Sequence, residues 1–446
     1  MALFGTDGIR GLANRDLTAE LALDVSVAAA HILVESLGFT TERPRAIVGR
    51  DSRASGEFLE AAIVAGLASA GVDVYRVGIM PTPAIAYLVG ESEADLGVVI
   101  SASHNPMPDN GIKIFSRGGG KLDDALEAAI EARMNEPWER PTGRRVGRII
   151  SDETANERYL AHLLSSVNVS LVGLKVVVDC ANGASSIVAP EALRRAGAEV
   201  IAISNHPDGW NINEDCGSTY MENLRSKVLE TGSDIGIAHD GDADRCLAID
   251  ADGNTIDGDH ILTILALGMK ARGKLKNSTV VATVMSNLGF FAAMKAADIS
   301  VVSTQVGDRY VLEKMLESDF SLGGEQSGHV IMRDFANTGD GILTALALLQ
   351  EMAITKKSAQ ALADSMTKFP QVLINVGGVA KERLDASTVI SAAVRSAEIE
   401  LGNEGRVLLR ASGTEPLVRV MVEASSDDLA STIAAGLADL VQQELG

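Results

Sequence analysis

A serine with the surroundings of a nucleophile stands in the segment SASHNP, residues 101–106. Ser103 comes directly after an apolar run that predicts a buried strand, and His104 and Asn105 follow it. Asn105 and Pro106 are turn formers, so they would lift Ser103 out of the sheet edge, where its hydroxyl could carry a transferred group. The alternative is a polar turn whose serine and asparagine only satisfy backbone groups, and this segment alone does not decide between the two.

Three carboxylates alternate over the next chemically distinctive loop, HDGDADR at residues 239–245. Asp240, Asp242 and Asp244 offer hard oxygen ligands at a spacing that suits Mg²⁺ or Ca²⁺. Without a cation, three aspartates on so short a loop would repel one another strongly. Three ligands leave coordination positions open for water or phosphate, as Mg²⁺ prefers, so the loop predicts a magnesium site. A solvated acidic loop is the alternative.

Two further loops carry groups that suit a phosphorylated sugar. In RASGTEPLVRV, residues 410–420, two arginines flank a Ser-Gly-Thr turn, and guanidinium groups with hydroxyls and backbone amides make a phosphate cradle. A charged hairpin turn is the alternative. GGEQSGH, residues 323–329, supplies a carboxylate, an amide, a hydroxyl and an imidazole, an inventory that suits sugar hydroxyls, although a lone histidine is often structural. Arg10 and Lys113 are cations near the site elements of the first domain, and either could be an ordinary surface charge.

Composition limits the partners that such loops could serve. The chain has 446 residues and a formal net charge of −21, which argues against nucleic acid and anionic membranes as partners. A phosphate site must then be a local basic patch. Cys180, Cys216 and Cys246 form no CxxC pair, and their odd number argues for a reducing compartment. The N-terminus shows no secretory signal pattern, so we expect a cytoplasmic protein.

Strands and helices alternate in a theme that recurs roughly every hundred residues, which is typical of triplicated α/β domains with mixed or parallel sheets. In the first copy, Ser55 is expected to cap the helix after GRDSR. A smaller α+β domain follows. Ligands of parallel α/β sheets bind beyond the carboxyl ends of the strands. We therefore expect four domains around one central cleft. The predicted domains are 1–150 with the serine loop, 151–255 with the metal loop, 256–368 with the sugar loop and 369–446 with the phosphate loop.

Taken together, the motifs resemble those of the α-D-phosphohexomutase family across nearly the whole chain. FGTDGIRG, SASHNP, DGDADR, GEQSGH and RASGTEPLVRV occur in this order. FGTDGIRG, GEQSGH and the VGDRYV segment at 306–311 look like those of bacterial members that act on an amino sugar. The resemblance implies an isomerase that interconverts glucosamine 6-phosphate and glucosamine 1-phosphate through a phosphoserine and glucosamine 1,6-bisphosphate, with Mg²⁺ and a homodimeric state. A glucose or mannose phosphate mutase of the same family, a metal-dependent sugar phosphatase with Asp240 as nucleophile, and a non-catalytic binder are the competing interpretations.

The resemblance also implies roles for individual residues. Ser103 would be phosphorylated and would bind Mg²⁺ together with the three aspartates. Arg245 would neutralise the transferring group, and Lys113 would handle the proton, with Arg10 and His104 as neighbours. Burial beside cations is expected to lower the pKa of Lys113 toward neutrality and so to suit it to that role.

The remaining implied roles concern binding and closure. Glu325 and Ser327 would grip the sugar ring in both orientations. Our own hypothesis for a preference for amino sugars is that the Glu325 carboxylate faces the substrate ammonium group. The last domain is expected to hinge near Lys368–Pro370, because phosphoserine must be kept from water. The substrate-binding residues that the resemblance implies are Glu325, Ser327, His329, Arg410, Ser412, Gly413, Thr414 and Arg419.

Overall fold

The computed structural model describes residues 3–5, 7–37, 43–134, 136–402, 404–412 and 417–446. The chain divides into two compact units, one formed by residues 1–284 and 300–364 and the other by residues 285–299 and 365–446. The expected α/β class is confirmed, with three α/β sheets and a smaller C-terminal sheet. Within the described ranges, no helix combines the length and the apolar character needed to cross a membrane.

The first sheet has six strands in the order β1-β5-β4-β2-β3-β6. Strands β2, β3, β4 and β6 run parallel to one another. At one edge of the sheet, β5 pairs antiparallel with β4, and β1 pairs antiparallel with β5. Every residue of β4 is buried, as expected for a strand covered by helices on both faces. The elements are β1 (Ile9–Leu12), α1 (Ala19–Leu37), β2 (Arg45–Arg50), α2 (Ser55–Ser69), β3 (Asp73–Ile79), α3 (Thr82–Glu91), β4 (Leu96–Ile100), β5 (Asp109–Ser116), α4 (Asp124–Arg133) and β6 (Ile149–Ser151).

The loops that follow β2 and β4 leave the same edge of this sheet, because the two strands are parallel neighbours. Residues 51–54 therefore lie beside residues 101–106. The expected capping role of Ser55 is wrong: the N-cap position of α2 is Ala54, which makes no side-chain cap. The Ser55 hydroxyl instead accepts a hydrogen bond from Asn110 Nδ2 at 2.9 Å. Helix α3 begins at Thr82 with a proline in its first turn, as its rigid φ favours.

The second sheet has five strands in the order β11-β10-β9-β7-β8. The metal loop joins β9 to β10, which pair antiparallel, so the loop turns back at the carboxyl end of β9. The elements are α5 (Ala155–Ser165), β7 (Lys175–Asp179), α6 (Val188–Arg195), β8 (Glu199–Ile203), α7 (Glu222–Thr231), β9 (Ile235–Ala238), β10 (Leu247–Asp250) and β11 (Thr255–Ile256).

The third sheet has four strands in the order β13-β12-β14-β15. Strands β14 and β15 form an antiparallel hairpin, and the sugar loop is its connection. The elements are α8 (Gly258–Ala271), β12 (Thr279–Thr283), α9 (Leu288–Ala296), β13 (Ser300–Thr304), α10 (Asp308–Glu317), β14 (Leu322–Gly324), β15 (Val330–Met332), α11 (Gly341–Thr355) and α12 (Ala359–Ala363). Helix α9 belongs to the second unit, and the other elements belong to the first.

The second unit holds α9 and a three-stranded antiparallel sheet in the order β16-β18-β17. Buried Glu423 in β18 fixes the start of α9, because its carboxylate accepts the Leu288 amide at 2.8 Å and pairs with Arg406 at 2.8 Å. The other elements are β16 (Gln371–Gly377), α13 (Thr388–Leu401), β17 (Arg406–Ala411), β18 (Leu417–Glu423) and α14 (Asp427–Leu445).

Candidate active site

The Ser103 hydroxyl meets the metal loop. Ser103 is 1% exposed and has φ of +52°, in the left-handed region that residues with a side chain seldom adopt. Its Oγ donates a hydrogen bond to Asp240 Oδ2 at 2.5 Å and lies 3.3 Å from Nδ1 of His104. A Cβ added to Gly241 would come within 2.6 Å of the Ser103 carbonyl oxygen, so only glycine permits this approach. The structure thus brings together the first two predicted motifs.

The three aspartates form one buried cluster. One carboxylate oxygen from each aspartate lies within 4.8 Å of those of the other two, close enough to share a metal ion. Burial, and then the charges of Asp244 and Asp242, raise the pKa of Asp240 well above its usual range. Oδ1 of Asp242 and Oδ1 of Asp244 are buried and have no hydrogen-bond partner among the described residues. Carboxylate oxygens that repel each other and lack partners are the donor set of a hard divalent cation, so the residues present fit such an ion.

Lys113 lies among carboxylates. Its ammonium is 2.8 Å from Asp242 Oδ2, 2.9 Å from Asp7 Oδ2 and 3.8 Å from Asp244 Oδ2. Burial alone would lower the pKa of Lys113, but these three carboxylates raise it above its ordinary value. The expected lowering of this pKa is therefore wrong. The sequence places Lys113 near Arg10. It does not show that the loop before β1 and the metal loop surround Lys113 with more acids than cations.

A chain of charges behind Lys113 was missed by the sequence reasoning. Lys121 pairs with Asp7 at 2.6 Å and with Asp308, the first residue of α10. Arg10 also pairs with Asp7, at 2.5 Å. Lys121 ends a turn that bridges back to Phe115 of β5, and its side chain reaches Asp7 before β1 and Asp308 at the start of α10. Asp7 stands inside the FGTDGIRG motif and Asp308 inside VGDRYV, so both motifs did carry a signal.

Arg245 and His104 flank the triad. The Arg245 Nε lies 3.9 Å from Asp244 Oδ1 and 4.0 Å from Asp240 Oδ2, which places the guanidinium beside the carboxylate cluster. Burial, and then the positive charges of Arg245 and Arg10, lower the pKa of His104 to about 4. His104 is therefore neutral at pH 7, and its imidazole can donate or accept a hydrogen bond without adding charge to the site.

The sugar loop is tied to the metal loop by its backbone. Arg245 and His329 form an antiparallel bridge, and the Cys246 amide donates to the Gly328 carbonyl at 3.0 Å. His329 is buried, with its Nε2 3.5 Å from Asp308 and 4.0 Å from Asp244. The Glu325 carboxylate accepts the Gly307 amide at 3.1 Å, beside the VGDRYV segment.

The second unit contains the predicted phosphate residues. Arg410 and Arg419 stand directly opposite each other in the β17–β18 ladder. Burial, and then the neighbouring Arg419, lower the pKa of Arg410. Ser412 is 4% exposed, and Lys381, which sequence reasoning did not select, donates to its carbonyl at 2.6 Å. Two like charges side by side favour a bound anion. Gly413 and Thr414 lie outside the described residues.

Models of a known protein family match nearly the whole chain, in four successive parts. Models of the phosphoglucomutase/phosphomannomutase family match its alpha/beta/alpha domain I at residues 1–140, domain II at 157–253, domain III at 257–369 and its C-terminal domain at 373–440. The chain belongs to this family, and it is an isomerase of the phosphohexomutase class. The family resemblance expected from the motifs is confirmed.

Individual proteins of known sequence or structure resemble the chain over nearly its whole length. A protein of Nocardioides sp. named phosphoglucosamine mutase is 61% identical over 443 residues, which is 99% of each chain. A phosphoglucomutase/phosphomannomutase family protein from Burkholderia thailandensis has a similar fold, with a TM-score of 0.83 and 23% identity over 100% of this chain and 98% of its own. N-acetylphosphoglucosamine mutase of Aspergillus fumigatus, solved with GlcNAc-6P and magnesium, has a TM-score of 0.73 and 19% identity over 99% of this chain and 95% of its own.

Proposed function

We propose that this isomerase interconverts glucosamine 6-phosphate and glucosamine 1-phosphate, with Ser103 carrying the phosphate between turnovers. The observation that carries the proposal is the 2.5 Å contact between Ser103 Oγ and Asp240 Oδ2 inside a buried carboxylate cluster. The choice of the amino sugar is supported by the relative named phosphoglucosamine mutase at 61% identity. Glucosamine 1,6-bisphosphate is the intermediate and activator in this scheme.

Each half-reaction exchanges one phosphate ester for another. The P–Oγ bond of phosphoserine breaks as the free sugar hydroxyl bonds to phosphorus, and the hydroxyl proton ends on Oγ of Ser103. The bisphosphate then turns over, and its other phosphate returns to Ser103. Phosphoryl transfer needs positioning and charge neutralisation more than covalent help, which suits a site built from fixed cations and carboxylates.

Mg²⁺ is the proposed metal, held by Asp240, Asp242, Asp244 and a phosphoserine oxygen, and when bound it would neutralise charge on the transferring group. Its support is the oxygen-only donor set with unpartnered Oδ1 atoms. Lys113 and Arg245 contribute the protein's own positive charge. Because carboxylates keep Lys113 protonated, its proposed role changes from proton acceptor to fixed cation and hydrogen-bond donor, with Arg10 and His104 beside it.

Substrate binding is proposed to use two groups of residues. Glu325, Ser327 and His329 would hold the sugar ring, with the Glu325 carboxylate facing the substrate ammonium. Ser327 Oγ is buried and has no hydrogen-bond partner among the described residues, as expected of a group that awaits a ligand hydroxyl. The phosphate that does not react would be held by Arg410, Ser412, Gly413, Thr414 and Arg419.

The domain borders at residues 150, 255 and 368, closure about Lys368–Pro370, a homodimer and a cytoplasmic location complete the proposal. Three buried cysteines without disulfides support the reducing compartment. The second unit begins again at Ser365, a few residues before the proposed hinge, but it also includes residues 285–299. Closure therefore has to involve the chain crossings near 284 and 299. Scattering profiles that superimpose with and without substrate would contradict closure, and light scattering tests the dimer.

The deciding experiment follows the 1-phosphates by phosphorus NMR. The purified protein is incubated with Mg²⁺, a hexose 1,6-bisphosphate and, separately, the 6-phosphates of glucosamine, glucose and mannose. Rapid conversion of the glucosamine compound alone supports the proposal. Comparable rates on all three would keep the mutase chemistry and overturn the amino-sugar assignment. Release of inorganic phosphate alone would favour a sugar phosphatase.

A further inference from the structure

The backbone carbonyls of the phosphoserine loop are held by two side chains from distant parts of the sequence. Arg53 Nη2 donates to the carbonyls of Ser103 at 3.1 Å and Asn105 at 2.8 Å, and its Nη1 donates to Pro106 at 2.6 Å. Asn213 Nδ2 donates to the same carbonyls of Ser103 at 2.9 Å and Asn105 at 3.0 Å. All of these bonds end on backbone oxygens, so the two side chains fix the path of the loop.

The Arg53 guanidinium is also connected to the backbone amide of Ser103, by way of Asp51 and Ser101. Arg53 is fully buried and pairs with Asp51 at 3.0 Å. Oδ2 of Asp51 accepts the hydroxyl of Ser101 at 2.5 Å, and that hydroxyl in turn accepts the Ser103 amide at 3.0 Å. One buried ion pair therefore constrains both the N–H and the C=O of Ser103. A fully buried arginine is rare, and here carbonyls and one carboxylate occupy its donors.

This constraint explains the unusual backbone of the serine. A residue with a side chain holds a φ of +52° only when its surroundings impose it. With the N–H and C=O of Ser103 both held by hydrogen bonds, its side chain is fixed at the metal loop, where Oγ meets Asp240. Gly241 leaves room for this arrangement, since a Cβ at that position would come within 2.6 Å of the Ser103 carbonyl oxygen.

We propose that Arg53 and Asn213 are positioning residues for phosphoryl transfer: together they clamp the carbonyls of Ser103, Asn105 and Pro106 and so keep the Ser103 hydroxyl aimed at Asp240. The inference rests on the proposed function for its kinetic consequence, but the clamp itself is a statement about the loop. Asn213 comes from the second domain and Ser103 from the first, so the clamp also sets the register between the serine loop and the metal loop.

The first test compares two asparagines of one loop. Asn213→Ala removes the bonds to the carbonyls of Ser103 and Asn105. Asn211→Ala removes two bonds within its own loop, one donated to the His206 carbonyl and one accepted from the Asp208 amide. For Asn213→Ala we expect kcat to fall about 10- to 100-fold with KM changed by less than about threefold, as misplacement of a reacting group does. Asn211→Ala should stay within about twofold of the wild type in both constants. Equal kcat values for the two variants would overturn the proposal.

The second test uses chemical rescue. Arg53→Ala leaves a buried space of guanidinium shape, and we expect kcat to fall at least about 100-fold and to recover at least about tenfold with millimolar methylguanidinium. Arg117→Ala is the control, because Arg117 pairs with buried Asp95 at the amino end of β4, the end opposite the serine loop. Rescue of both variants, or of neither when both are folded, would contradict a positioning role for Arg53. If Arg53→Ala does not fold, the asparagine pair decides the proposal.

A readout without activity separates this proposal from the proposed function. Amide hydrogen exchange of residues 101–106 should speed up in Asn213→Ala and stay unchanged in Asn211→Ala. If the wild type converts none of the three hexose 6-phosphates, the proposed function fails, and the exchange result still supports or overturns the clamp. If the wild type is active and neither exchange nor kcat changes in Asn213→Ala, the clamp alone fails.

Discussion

Nζ of Lys113 lies 2.8 Å from Oδ2 of Asp242, and both groups are buried. The same ammonium lies 2.9 Å from Asp7 and 3.8 Å from Asp244, so one cation serves three acids from two different sheets. Asp242 shows the effect from the other side: burial would raise its pKa, yet the charge and hydrogen bond of Lys113 lower it below the usual range. The metal loop therefore keeps Asp242 ionised while the pKa of Asp240 is raised.

Replacing Lys113 by Met should abolish most activity and weaken the fold. The three acids would lose their shared cation, so we expect kcat to fall more than about 100-fold and the free energy of unfolding to fall by about 3–5 kcal/mol. Urea unfolding and steady-state kinetics measure the two effects. Near-normal turnover of the variant would contradict the assigned role.

The pH dependence of this effect has a definite sign. The folded-state pKa of Lys113 is raised, so its stabilising contribution is fully present below its unfolded pKa of about 10.4 and is lost only as the pH rises through the higher folded value. The stability difference between wild type and variant should thus be constant from pH 6 to 9. Lys276→Met, which breaks an exposed pair with Asp319, is the control and should cost less than about 1 kcal/mol.

The loop chemistry could be predicted from sequence because its signals are local. Ser103 beside turn formers, alternating aspartates and arginines around Ser-Gly-Thr each reveal a function within a few residues. The continuous apolar strands likewise indicate buried parallel sheets. What could not be predicted is the long-range pairing of charges. Lys121 meets Asp7 across 114 positions and Asp308 across 187, and although both aspartates stand in recognisable motifs, nothing in the sequence shows that they pair with this lysine.

The expectation that the pKa of Lys113 is lowered was wrong for the same reason: the charges that pair with it are distant in the sequence. A pKa depends on the sum of all charges around a group, and these come from elements that only the fold brings together. Arg53 is a second example, because GRDSR predicts a loop after a strand but gives no sign that its last arginine is fully buried against the carbonyls of Ser103, Asn105 and Pro106.

Metal binding should depend on the triad and should stabilise the protein. We expect one Mg²⁺ per chain by calorimetric titration, with the melting temperature rising as Mg²⁺ exceeds its dissociation constant, since the folded state alone presents the site. Asp244→Asn removes one ligand and should weaken binding at least about tenfold. Asp252→Asn, on an exposed turn of the same domain, is the matched control. Binding that is equally tight in both variants would place the metal elsewhere.

Asp340 should make the fold less stable as the pH rises. It is buried, and burial raises its pKa to about 6 although it caps α11 and accepts the Tyr159 hydroxyl at 2.8 Å. A carboxyl with a raised folded pKa contributes stability below its unfolded pKa of about 3.9, and loses it as the pH rises through about 6.

Asp340→Asn imitates the protonated acid, so it should match the wild type near pH 4 and exceed its unfolding free energy by up to about 3 kcal/mol at pH 7. Urea unfolding at the two pH values measures this difference. Asp123→Asn changes the exposed cap of α4 and should alter stability by less than about 0.5 kcal/mol at both. A gain at pH 4 equal to that at pH 7 would mean that ionisation of Asp340 is not the cause.

Removing Arg410 should separate binding from stability. Arg410 and Arg419 are direct cross-strand partners of like charge, and such pairs destabilise a sheet by a few tenths of a kcal/mol. Arg410→Met should therefore leave the free energy of unfolding unchanged or slightly higher. If the pair holds the unreactive phosphate, the same variant loses a charge-assisted contact, and kcat/KM should fall about 10- to 100-fold. Arg395→Met, on the exposed face of α13, is the control and should change neither quantity. A variant that loses stability but keeps kcat/KM would show that Arg410 supports the sheet and does not bind the phosphate.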